Sequence, residues 1–379
     1  MLTPFNGNLM PGGHVIARAV GHTGLVNWTA AALSIVVMHA LGALSAVWML
    51  VTLFGRRPMI LVPLILYLSS SMATPSLIWW TAAMNGLPLR VSYFLAITLW
   101  VKYLRSRRLQ WVALCSLAVA GGLFFWVKAI LIIPVLGFLA LAYFASGSPW
   151  MRVYTVARRY PAALVLGGGL AAAYAVLYLA QTTDQSRPFT GTPALQLVGT
   201  MLGKAFGSTA VGGPWVWNNF APPTAYAGPP MAAVTMAWIL ITLVVGYLWL
   251  RRTRTLRAWV LVLAYLMADV LLLLGSRAPT FGAGIGMELR YVAGFADHPR
   301  TRCRPRHHAS RRFRREQWRP GAPTAGPSGS AMAERGSVAC DRSRRRREQS
   351  AVRRYLAPSE RGPGLHAEGQ GSARPAGPD

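Results

Sequence analysis

The chain has 379 residues, 53% of them hydrophobic and only 13% charged, with a formal net charge of +28. Its apolar residues fall in blocks of seventeen or more, which argues against a soluble domain and fits a polytopic membrane protein. The charge does not make it a nucleic-acid binder: nineteen of the thirty-nine basic residues, all Arg, lie in 291–379, and the first 290 residues carry only Asp184, Asp269 and Glu288 as acids.

Residues 1–29 begin rich in Gly, Pro and Asn and read as an extracytoplasmic loop, helical towards Val20. No basic segment precedes an apolar core there, so no secretory signal is expected. Apolar runs then predict eight spans, at 30–54, 59–78, 88–104, 109–126, 129–145, 161–181, 231–250 and 257–275. Pro63, Pro75 and Pro134 predict kinks, and 109–145 also reads as a re-entrant hairpin turning near Lys128. Between the second and third runs, Trp79-Trp80 and the punctuation of Asn85-Gly86 and Leu87-Pro88 predict a loop at a membrane surface.

Lys and Arg are retained on the cytoplasmic side of a membrane, and segments 55–57, 102–108, 152–159 and 251–257 hold thirteen of them. With eight spans all four segments share one face. The 79–88 loop, the long 182–230 loop and the 276–288 loop then lie outside. This order also puts Met1 outside, which predicts a further helix upstream. The 182–230 loop is rich in Gly, Pro and aromatics (Pro214-Trp215-Val216-Trp217) and is too long for a plain connector, so it reads as a cover over the outer mouth of the bundle or as an aromatic loop resting on the membrane.

Residues 298–379 are dense in Arg, Pro, Gly, Ala and Ser and have no periodic apolar face. They predict a disordered basic tail. Out-of-frame translation of a GC-rich gene gives the same mixture. The expected architecture is thus all-α: an integral membrane bundle of about eight transmembrane helices in 30–297, with a disordered Arg/Pro-rich tail.

At Pro4–Gly12, Trp79–Pro88 and Glu288-Leu289-Arg290-Tyr291 the chain resembles a group of actinobacterial polytopic membrane proteins laid out like GT-C-type glycosyltransferases, and the resemblance spans about 4–297. It implies transfer of a sugar from a polyprenyl-phosphate donor at the outer face of the cell membrane. In that family an acidic residue in the first outer loop is the base or a metal ligand. This chain has no Asp or Glu before Asp184, so no catalytic residue carries over and a fragment or remnant without activity of its own is expected.

The remaining candidates come from the residues themselves. Asp269 within the last span needs a partner, and Lys128 is the nearest cation by expected depth. Arg277, Glu288 and Arg290 cluster around the last outer loop, where a guanidinium facing Lys128 predicts a phosphate site. Trp80 and Asn85 offer a stacking face and a hydrogen bond to a sugar; an interfacial aromatic belt also accounts for the tryptophans. No nucleotide fingerprint or metal-ligand spacing is present, so no cofactor is expected, and the expected partners are membrane lipid and a lipid-linked sugar. A transporter or lipid-handling protein built around Lys128 and Asp269, and a non-enzymatic scaffold, are the competing readings.

Overall fold

The computed structural model describes residues 9–24, 27–181, 190–221, 224–251 and 256–292. The expected tail at 298–379, most of the first ten residues and Asp184 lie outside them.

The described chain is helical apart from one short hairpin. A short helix α1 (Pro11–Gly21) precedes α2 (Trp28–Phe54), whose first turn is capped by Asn27, its side chain accepting from the Ala30 amide at 3.0 Å. Next come α3 (Leu61–Leu68), α4 (Thr74–Ile78), α5 (Trp80–Ser106) and α6 (Leu109–Phe125). Helix α7 (Ile132–Leu139) lies between a 3-10 turn (Val127–Leu131) and a π turn (Ala140–Phe144). After it run α8 (Pro149–Arg159), α9 (Pro161–Gln181) and α10 (Thr192–Val198), a π turn (Gly199–Phe206) and α11 (Gly207–Thr209). The hairpin β1 (Trp217–Ala221) and β2 (Thr224–Ala227) leads into α12 (Met231–Arg251) and α13 (Leu256–Ser276). Two short helices, α14 (Ala278–Phe281) and α15 (Leu289–Val292), flank a 3-10 turn at Ala283–Met287.

Five segments are long and apolar enough to cross a membrane: Trp28–Phe54, Val127–Phe144, Pro161–Gln181, Met231–Arg251 and Leu256–Ser276. A sixth is the pair Pro58–Leu68 and Ser71–Ile78 if its 47° bend is one broken span. This is compatible with an integral membrane protein. Large apolar side chains stand exposed along these helices, among them Leu44 on α2, Val176 on α9 and Leu243 on α12, as hydrocarbon contact requires.

The expected loop at Trp79–Pro88 is corrected. Only Trp79 is extended; α5 starts at Trp80 and passes through Asn85, Gly86 and Pro88 without a break. Proline removes one helical hydrogen bond and crowds the carbonyl four residues back. Here burial outweighs that cost: Ala82, Ala83, Gly86 and Leu87 are packed inside, and a Cβ on Gly86 would lie 2.6 Å from Ser76 Oγ of α4. Helix α5 is the hub of the bundle, packed against α2 and α6 and buried over most of its length. Because neighbours surround it, it carries Arg90, Ser92 and Thr98 where a lipid-facing helix would carry aliphatics. The expected spans 88–104 and 109–126 correspond to part of this helix and to the 17-residue α6.

The basic segments converge at one end. Arg105 Nη1 donates to Thr52 O at 2.9 Å, Tyr160 Oη donates to Leu104 O at 3.2 Å, and Arg257 donates to Ala142 O. Running about 1.5 Å per residue from there, α5 reaches Trp79 about 40 Å away, where α13 also ends. At that second, aromatic end a cluster of Leu197, Met201, Val270, Leu273, Ile285 and Leu289 forms a floor.

Candidate functional site

The site at the aromatic end is assembled from three stretches far apart in sequence. The first is the bent pair, which brings Ser71, Thr74 and Trp79 together. The second is the loop before β1, where Gly212 (φ 101) and Trp215 (φ 60) both take left-handed backbone. That conformation is rare for a bulky residue and holds the Trp215 side chain out, 55% exposed. Ser71 Oγ donates to Gly213 O and fastens this loop to the bent pair. The third is the turn after α13. Gly286 fits against the π turn so closely that a Cβ would sit 2.7 Å from Thr200 Oγ1, and that hydroxyl donates to Ala283 O at 3.0 Å. The next residue but one is Glu288, extended and buried.

Between the three lies a cavity of about 500 Å³, lined by Ser71, Thr74, Trp79, Gly213, Trp215, Trp217 and Glu288 among others. Its volume is within the ordinary range for small-molecule sites. Glu288 is 1% exposed; its Oε1 meets Arg290 Nε, and Oε2 has no hydrogen-bond partner among the described residues. The Arg290 guanidinium lies 4.8 Å over the Trp79 ring and 4.9 Å over Tyr291, and its Nη2 donates to Tyr291 Oη at 3.0 Å. Burial pushes the Glu288 carboxyl above its ordinary value, while Arg290 and then Arg277 pull it back. Burial and the nearby Glu288 push the Tyr226 hydroxyl up to about 12, so it stays a neutral phenol.

Beside this site Lys128 and Asp269 meet, Nζ to Oδ2, at 2.9 Å. The same ammonium donates to Tyr291 O at 2.7 Å and faces the rings of Trp126 and Tyr265 at 5.6 and 5.8 Å. Lys128 therefore ties α13 and the Val127–Leu131 turn to the segment that carries Glu288. Lys128 is bound by Asp269 and Arg290 by Glu288, so both of these cations of the expected phosphate site already hold a carboxylate. Arg277 stands over Phe281 at 6.0 Å and acts on Glu288 through its field.

Trp80 turns away from the cavity. Its indole N–H donates to Ser34 Oγ on α2 at 3.0 Å. Asn85 lies against α1, where a Cβ on Gly13 would come 3.4 Å from its Oδ1. The neighbour of Trp80, Trp79, takes the cavity position, together with Ser71, Thr74 and Trp217. Alternating Trp215-Val216-Trp217 in a long loop was the sequence signal for half of this wall; isolated Ser71 and Thr74 gave none.

Three indole faces, two hydroxyls and one carboxylate oxygen without a partner suit a neutral ligand that offers apolar ring faces and donating hydroxyls. A free anion is disfavoured beside Glu288. No family model, curated protein or solved structure matches the chain.

Proposed function

We propose that this chain is a multi-pass protein of the cell membrane that handles lipid-linked sugars at the outer face, on the plan of GT-C-type glycosyltransferases, and that the cavity at the aromatic end receives the sugar. The observation that carries this reading is Glu288: a buried carboxylate with one unsatisfied oxygen, in the lining of a tryptophan-rich cavity. An unmet acceptor is costly to bury, and a ligand hydroxyl meets it. The convergence of the basic segments at the opposite end supports an outward-facing cavity, since that end is the one retained in the cytoplasm. A carboxylate positioned this way accepts a hydrogen bond from a sugar or acceptor hydroxyl, and Trp79 and Trp215 supply stacking faces. The transport reading needs Lys128 and Asp269 on a cavity; their mutual pairing supports a structural role instead.

The test is saturation-transfer NMR on the full chain in nanodiscs with farnesyl-phosphate mannose as probe. Transfer to the sugar protons is expected, with a loss of about ten-fold or more in Trp215→Ala and Glu288→Gln, as expected when a buried hydrogen bond to a charged group is removed. Equal transfer in both variants, or transfer to the farnesyl chain alone, would overturn the proposal.

A further inference from the structure

Helix α8 plays no part in the site above, and its surface is unusual for a connector. It joins two segments that are each long and apolar enough to cross a membrane, Val127–Phe144 and Pro161–Gln181. Ser148 caps it, its Oγ accepting from the Met151 amide at 3.4 Å, so it is a deliberate helix of 11 residues. Trp150, Val153, Tyr154 and Ala157 follow the i, i+3, i+4, i+7 spacing and form one apolar stripe. That stripe does not face the bundle: Trp150 is 81% exposed, Tyr154 53% and Val153 45%, and no residue of α8 is buried. Val156, on another side, makes the contact with the core.

The cations complete the pattern. Arg158 borders the stripe beside Tyr154, Arg152 and Arg159 lie on the opposite face of the helix, and Arg158 and Arg159 are exposed. Arg152 Nε donates to Gly147 O at 2.8 Å and Arg158 Nη1 to Tyr154 Oη at 2.9 Å, contacts that brace the side chains without neutralising them. Both carboxylates among the described residues, Asp269 and Glu288, are paired elsewhere, and the same end of the molecule gathers Arg56, Arg57, Arg105, Arg107 and Arg108. An exposed aromatic-aliphatic stripe with one cation beside it and two on the opposite, polar face, fixed at the mouth of two spans, has the chemistry of a helix lying in a headgroup layer.

We propose that α8 is an interfacial helix that docks on anionic phospholipid headgroups at the basic end of the bundle. Its stripe sinks into the headgroup–acyl boundary, with Trp150 and Tyr154 as anchors, while the arginines reach lipid phosphates. This holds whether or not the aromatic end binds a sugar.

Hydrogen exchange of the full chain in nanodiscs of POPC, with and without POPG, tests it. Each arginine near an anionic surface is worth about a five-fold preference, so exchange across 149–159 is expected to slow at least about five-fold when POPG is present. Added salt should remove that difference in the unmodified protein, and Arg152→Gln/Arg158→Gln/Arg159→Gln should abolish it while α5 stays protected. Trp150→Ser/Tyr154→Ser should lose protection in both lipids. Equal exchange of α8 with and without POPG, or a POPG effect that survives both salt and the triple substitution, would overturn the proposal.

Discussion

Glu288 and Asp269 are both buried carboxylates, and they differ in how fully their surroundings satisfy them. Asp269 receives Lys128, whose ammonium is also held by Tyr291 O, so the pair closes on itself. Removing one partner of such a pair strands the other charge, at a cost of about 3–5 kcal/mol. Lys128→Met alone is therefore expected to lower the melting temperature sharply, and Lys128→Met/Asp269→Leu to recover much of the loss. A neutral single variant in a thermal melt would show that the pair holds nothing. Glu288, by contrast, keeps one oxygen unmet, and burial raises its carboxyl above the ordinary 4.5. The folded chain then binds more protons than the unfolded one between that value and the raised one. Its contribution to stability is best below 4.5 and falls as pH rises through the raised value. Glu288→Gln should flatten this fall on the alkaline side of 4.5, and identical melting profiles for both proteins would count against it.

At the scale of elements, the closest fit in the site is between the turn at Ala283–Met287 and the π turn at Gly199–Phe206. Gly286→Val would place carbon against Thr200 Oγ1, Leu197 O and Met201 Cβ, an overpacking of about 1–3 kcal/mol. The expected result is loss of sugar saturation transfer with unchanged hydrogen exchange in α5, because the bundle does not depend on this contact. Unchanged transfer would mean that the turn does not position Glu288. The apolar runs that became α2, α9, α12 and α13 were legible in the sequence, since hydrocarbon demands long uniform stretches. The start of α5 was not. Asn-Gly and Leu-Pro are genuine breakers in isolation, and only the packing of Gly86 on Ser76 shows why they fail to break this helix. The site was legible in part: Glu288, Arg290 and the Trp-rich loop carry unusual chemistry on their face. The rest depended on which of two adjacent indoles points inward. Trp79 sits at the extended residue before the first helical turn, whereas Trp80 lies within that turn and reaches Ser34, a difference of backbone geometry rather than composition.

For the whole molecule, the separation of a basic end from an aromatic end makes sidedness measurable. In a Cys303→Ser/Cys340→Ser background, with Cys115 buried, Ser276→Cys at the aromatic end is expected to react with a membrane-impermeant maleimide on intact cells. Ser106→Cys at the basic end should react only after permeabilisation. The reverse pattern would turn the cavity toward the cytoplasm and end the proposed role at the outer face.

The Lys128–Asp269 contact also orders events in time. About 140 residues separate the two positions, so at 5–20 residues per second the ribosome needs roughly 7–28 s to deliver the aspartate after the lysine. Throughout that interval Lys128, close behind α6, lacks the carboxylate it pairs with in the finished fold. On the proposed membrane reading, its long side chain stays with headgroups or water at the membrane edge until then. The Val127–Leu131 turn thus settles to its final depth only when α13 arrives. Among the described helices, α13 is the one whose arrival completes this contact.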